Sequence, residues 1–198
     1  MAKQKTLSDA FYETLKDVYY AEKQSVKALK KSAKAAESEE LKNAFLTHAD
    51  ESANQVERLT QVFEIIGKPA RGKTCEAMQG ITAEMDEDLE DFGGTDAADQ
   101  VLIGCAQAVE HYEIARYGLL RTWATKLGFD DAAELLAATL EEEKRTDALL
   151  SEIADNLEYD NGSAPVETDG DEGDAEDLEE EGDEGEAAAP KSRSKAKA

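Results

Sequence analysis

The sequence predicts an all-α protein: four long helices in a bundle, joined by one long crossover that carries a short extra helix. Three observations point there. Ala, Leu, Glu, Lys and Gln dominate the first 157 residues and the whole chain has 3 Pro; straight-chain residues of this kind lose little rotamer freedom in a helix. Apolar residues recur at helical spacing over four stretches of roughly 25–30 residues, each about 40 Å long as a helix. The links between the stretches are short, long and short, which suits two antiparallel hairpins connected across the bundle.

The first helix is expected over residues 8–36. Thr6 or Ser8 can cap it, with Asp9 in the first turn, where the helix dipole favours negative charge. Leu15, Val18, Glu22, Val26 and Leu29 recur on one face, with Glu22 in the middle of the apolar stripe. Ser38 can cap the second helix, whose inner face reads Leu41, Phe45, His48, Gln55, Leu59, Val62 and Ile66. Gly67 and Pro69 end it, since Gly accepts a left-handed conformation and Pro cannot continue the ladder. The crossover from Pro69 to Gly94 is expected to hold a short helix over residues 74–91, with Met78, Ile81, Met85 and Leu89 as a narrow stripe. Thr95 can cap the third long helix, residues 96–127, which Gly128 closes. Asp130 can cap the fourth, residues 131–156, with Leu136, Leu140, Glu143, Asp147, Leu150 and Leu157 in line.

Residues 1–157 thus make the bundle. Residues 158–198 carry runs of Asp, Glu and Gly, end in alternating Lys or Arg, and have almost nothing apolar to bury. Ordering such a segment costs entropy without return, so it is expected to be a disordered acidic tail with a basic tip. The chain carries −24 overall, of which −11 belongs to this tail and −13 to the bundle. A field of that sign repels nucleic acid and anionic membrane. No apolar run is long enough for a signal peptide or a membrane span, and Cys75 and Cys105 match no metal or redox motif. Reduced thiols and a cytoplasmic location are the expectation. A P-loop, a Gly-x-Ser-x-Gly elbow and a dinucleotide fingerprint are absent from the sequence.

The informative feature is acid on the inside of every long helix. A carboxylate in a bundle core costs several kcal/mol unless it is paired, hydrogen-bonded or bound to metal. The first helix offers Glu22 and the second offers Glu51, between His48 and Gln55. The third offers Glu110 and Glu113, stacked one turn apart in Glu110-His111-Tyr112-Glu113. The fourth offers Glu143 and Asp147, with Glu142 as an alternative to Glu143. All lie near mid-helix, where an antiparallel bundle brings residues to one height. Divalent cations take carboxylate oxygens, and two ions can share bridging Glu side chains. Glu22, Glu51, Glu110, Glu113, Glu143 and Asp147 are therefore the candidate ligands of a two-metal centre.

These acids, in residues 17–24, 48–59, 106–118 and 140–147, resemble the ferritin-like superfamily and, on the third long helix, rubrerythrin. The wording is nearest to the YciE/YciF-like stress protein family of that superfamily, over residues 7–157. The resemblance implies a ferritin-like bundle, two Fe or Mn ions, a role in stress, and a homodimer. It also has departures. The usual di-iron pattern places Glu-x-x-His on two helices, whereas Glu51 is followed by Asn54 and Glu143 by Thr146. His48 is then a ligand, a partner behind the ligands, or neither; Gln55 can supply a donor, and His111 reads as a surface or packing residue. Tyr19, Tyr20, Tyr112, Tyr117 and Trp123 read as core and interface aromatics, with Tyr19 or Tyr117 able to hydrogen-bond a ligand.

Three functions compete. The first is a di-metal oxidoreductase that handles oxygen, peroxide or iron, peroxidase-, catalase- or ferroxidase-like. The second is a non-enzymatic helical stress or interaction protein whose interior acids are paired by Lys, Arg or Tyr. The third is a storage or DNA-protecting cage.

Overall fold

The computed structural model describes residues 4–158, so the expected tail lies, beyond its first residue, outside the described residues. Among them every regular element is a helix: α1 (Leu7–Ala35), α2 (Glu39–Ile65), α3 (Glu76–Phe92), α4 (Ala98–Leu127) and α5 (Asp130–Asn156). None of these is long and apolar enough to cross a membrane.

Local chemistry sets the ends. Thr6 and Asp9 form a reciprocal capping box: the Asp9 N–H donates to Thr6 Oγ1 (3.2 Å) and the Thr6 N–H to Asp9 Oδ2 (2.8 Å). Ser38 Oγ accepts from the Leu41 N–H at the start of α2. Gly128, at φ 77°, turns the chain after α4 so that the Phe129 N–H reaches back to the Ala124 carbonyl. Two expected caps are corrected. Thr95 does not cap α4; its hydroxyl donates to the Phe92 carbonyl and closes the end of α3 instead. Asp130 does not cap α5 but is its first helical residue, after Phe129, where its charge still meets the positive end of the dipole.

α1 and α2 form one antiparallel hairpin, α4 and α5 the other. α1 packs on α2 and α4, while α5 packs on α4 and α2, so the four make a square with α1 and α5 on one diagonal. α3 is the helix of the crossover and lies against α4 and α1. The crossover returns the chain to the start of α2: the Asp99 carboxylate, in the first turn of α4, accepts from the Glu37 and Ser38 N–H groups (2.9 and 2.7 Å). This is the ferritin-like arrangement of four helices with one long connection.

The core comes in two apolar layers. One holds Phe11, Leu15, Val18, Leu59, Phe63, Leu120 and Leu136. The other holds Leu29, Leu41, Phe45, Leu102, Ile103, Leu150 and Ile153. Between them, at mid-height, lies a buried polar belt to which all four long helices contribute. Val26 and Ile66, expected on inner faces, are half-buried, and Ser25 and Phe63 hold the inner positions. A small third cluster of Ala21, Cys75, Met78 and Val109 covers the belt on the α3 side.

Candidate metal centre

Each long helix delivers its part of the belt because an acid or imidazole occupies an inner position at mid-helix, on a face that is apolar toward both helix ends. Glu22, Glu110, Glu113 and Glu143 are all at 0% exposure, and His48 is at 2%. Two groups of ligand atoms form, His48–Glu110–Glu143 and Glu22–Glu113–Glu143, with the atoms of each within 4.8 Å of one another. Opposed ligands of a single ion at ~2.1 Å would stand about 4.2 Å apart. Glu143 belongs to both groups.

Hydrogen bonds orient the ligands from behind. Tyr117 donates its hydroxyl to Glu22 Oε1. His48 Nδ1 meets Thr146 Oγ1 at 3.1 Å and Glu51 Oε2 at 3.4 Å. Its Nε2 thereby turns to Glu110 Oε1 (3.0 Å) and Glu143 Oε2 (3.4 Å), close enough for charge to act although neither pair is aligned as a hydrogen bond. Arg58 clamps Glu142 through two hydrogen bonds (2.7 and 2.9 Å) and also donates to Thr139. Glu142 in turn accepts from Gln55 Nε2, which leaves Gln55 Oε1 buried without a partner.

A cation is tested by what the oxygens lack. Glu22 Oε2 and both oxygens of Glu110, Glu113 and Glu143 are buried with no hydrogen-bond partner, seven carboxylate oxygens in one belt. Burial and the neighbouring acids push the Glu22 and Glu113 carboxyls well above the usual range. Burial also raises Glu110; His48 opposes that rise and Glu143 adds to it, leaving Glu110 at about 8. Burial alone would hold the His48 imidazole down, but Glu110 and Glu143 raise it to about 11. Burial and the facing Glu22 keep Tyr117 protonated far above its ordinary range, so it is a donor at neutral pH. Protons alone thus satisfy this belt poorly. Once ionised by a bound cation, the four carboxylates would carry four negative charges, which two divalent ions would neutralise, and the donor set fits them.

Not every candidate residue joins the belt. Glu143, rather than Glu142, is the inward acid of α5; Glu142 is held ionised by Arg58 against the upward pull of burial. Asp147 is outside both groups, its side chain 25% exposed, with Oδ1 accepting from Gln107 (3.0 Å) and facing His111 Nε2 (3.2 Å). Its register is right but its side chain turns toward the α4 edge, where those partners compete for it. Glu51 stands at the rim, 38% exposed, against the outer nitrogen of His48. His111 is exposed, as its position implies. Tyr19 packs edge-on against Phe63 on the outer side rather than on a ligand, while Tyr117 is at the centre. Ser25, Ser52, Thr139, Thr146 and Arg58 were not predicted. Ser25 follows Glu22 by three and Ser52 follows His48 by four, spacings that place them on the same inner faces.

Fold and belt together define a ferritin-like four-helix protein with buried carboxylate and imidazole groups able to hold metal. The family described as a domain of unknown function, DUF892, matches residues 6–161. Protein YciF of Escherichia coli (strain K12) is 45% identical over 153 residues, 77% of this chain and 92% of that protein. The crystal structure of the E. coli stress protein YciF superposes with a TM-score of 0.75 at 44% identity, over 78% of this chain and 98% of that one. YcfI, described as a candidate structural protein of Rhodopseudomonas palustris, gives 0.73 at 39% identity, over 76% and 97%. This chain belongs to the YciE/YciF-like stress protein family, the family matched as DUF892.

Proposed function

We propose that the protein is a di-metal carboxylate protein of the stress response that binds two divalent ions, Fe or Mn, and handles oxygen, peroxide or iron in the cytoplasm as a homodimer. The observation that carries this reading is the set of seven buried carboxylate oxygens without partners, supplied by three helices around one imidazole. When bound, Fe or Mn supplies the electron transfer that reduces a small oxidant. His48, Glu110 and Glu143 would hold one ion, and Glu22, Glu113 and Glu143 the other, Glu143 being common to both sets. An oxygen-rich set with a single imidazole suits these hard or borderline ions.

The chain's own residues do the rest. Tyr117 holds Glu22 Oε1 and leaves Oε2 for the cation. Thr146 and Glu51 fix the His48 ring so that Nε2 faces inward. The two apolar layers exclude water above and below, and Met78 with Cys75 closes the α3 side. The test is metal content of the purified, untagged protein, repeated with Glu110→Ala plus Glu113→Ala. Two ions per chain, lost in the double variant, support the reading; equal metal in both counts against the site. The other reading, a helical stress protein without a working metal, draws on the description of YcfI as structural. It requires thermal stability that chelator does not change.

A further inference from the structure

We infer that the groove between α2 and α5 is the port through which divalent cations reach the centre, with Glu51 as their first ligand; this rests on the metal-binding reading above. A pocket of about 330 Å³ opens there, with Glu40, Thr47, Glu51 and Arg145 among its walls and His48 and Thr146 buried in its lining. His48 is the residue that joins outside to inside. Its Nδ1 edge faces Glu51, and its Nε2 edge is 3.0 Å from Glu110 and 3.4 Å from Glu143. One imidazole thus both lines the pocket and lies against two of the buried carboxylates whose oxygens have no partner.

The charge of the walls selects the occupant. Glu40 and Glu51 present carboxylates, and Thr47 a hydroxyl, which is an oxygen set for a hard cation. Arg145 opposes them, but it is exposed and donates to the Glu141 carbonyl (3.4 Å). A larger pocket, about 540 Å³, lies on the α1–α2 face, but Lys23 and Lys27 line it and none of the belt residues does. The rim position of Glu51 then has a reason. Its carboxylate is part-exposed and sits on the solvent-side edge of the ring, opposite the edge that the centre uses. A cation captured by Glu51 takes up the oxygen that holds Nδ1. Thr146 is then the one remaining contact of the Nδ1 edge, while Nε2 still faces Glu110 and Glu143, the next carboxylates on the ion's way inward.

The test is the rate of Co²⁺ uptake by metal-free full-length protein, read by visible absorbance after rapid mixing, with the final stoichiometry measured separately. Glu51→Gln removes the capturing charge, and Thr47→Trp fills the mouth from an exposed position. Both are expected to slow uptake by ~10-fold or more, and in Thr47→Trp the final content stays at two ions per chain, as charged clefts raise local cation concentration and on-rates by about that factor. Uptake at the wild-type rate in both variants overturns the port and leaves the centre standing. A final content that falls by one ion in Glu51→Gln makes Glu51 a ligand of the finished centre and overturns its role as first ligand. Wild-type protein that takes up no Co²⁺ overturns the centre, and the port with it.

Discussion

Replacing Glu113 by Met should make the metal-free protein more stable and the metal-loaded protein less so. Glu113 is at 0% exposure, and neither of its oxygens has a partner. Without a cation, each unsatisfied buried oxygen costs roughly 1–3 kcal/mol. Met has similar volume and returns about 1.5–3 kcal/mol of apolar burial. Allowing for imperfect packing, Glu113→Met is expected to stabilise the metal-free fold by about 2–4 kcal/mol, or roughly 5–15 °C in Tm for a domain of this size. With excess Mn²⁺ the order reverses, because the wild type gains binding energy that the variant has lost. The assay is thermal unfolding followed by far-UV circular dichroism, with EDTA and then with Mn²⁺. A variant that melts below wild type in EDTA would refute the reasoning, since Glu113 would then have a partner that the fold depends on.

Three further outcomes follow from the same belt. In the metal-free state Glu110 holds its proton to about pH 8 against 4.5 in the unfolded chain, so the folded state binds more protons across that window. Stability measured by urea unfolding should therefore fall as pH rises from 4.5 to 8. His48, raised from 6.5 to about 11, acts with the same sign: its contribution is complete below 6.5 and lost toward 11. A metal-free protein whose stability rises through the window contradicts this, and Mn²⁺ should flatten the fall because binding displaces the protons. Tyr117→Phe removes the donor to Glu22 and should weaken Mn²⁺ about 10–100-fold in equilibrium titration without changing the number bound. Arg58→Ala strips Glu142 of a two-point clamp and leaves it the Gln55 amide; a loss of about 1.5–3 kcal/mol in urea unfolding is expected, and no loss would show the clamp to be incidental.

The acids of the belt are legible in the sequence because each interrupts an apolar stripe, and helical period alone brings Glu22, Glu110, Glu113 and Glu143 inward. The crossover is legible from its length, since a return from the end of α2 to its start needs a segment like residues 66–97. Rim and interior are harder to separate. Asp147 follows Glu143 by one turn, so period places both inward, yet Gln107 and His111 on α4 draw Asp147 to the edge. Glu51 and His48 share a face, but which of the two reaches the centre depends on the helix's rotation against α5, fixed by packing around Thr146. Ser25 and Ser52 carry no sign of their own, because small hydroxyl residues occur on every face of a helix. The missing caps at Thr95 and Asp130 have a similar cause: turn chemistry allowed them, and neighbouring carbonyls and the turn at Gly128 decided otherwise.

The central claim is that two cations sit in the belt, and a crystal soaked in Mn²⁺ tests it most directly. Anomalous difference density should show two peaks, one bounded by His48, Glu110 and Glu143 and the other by Glu22, Glu113 and Glu143. Density confined to the rim at Glu51 or Asp147, or none inside the bundle at saturating Mn²⁺, would contradict it.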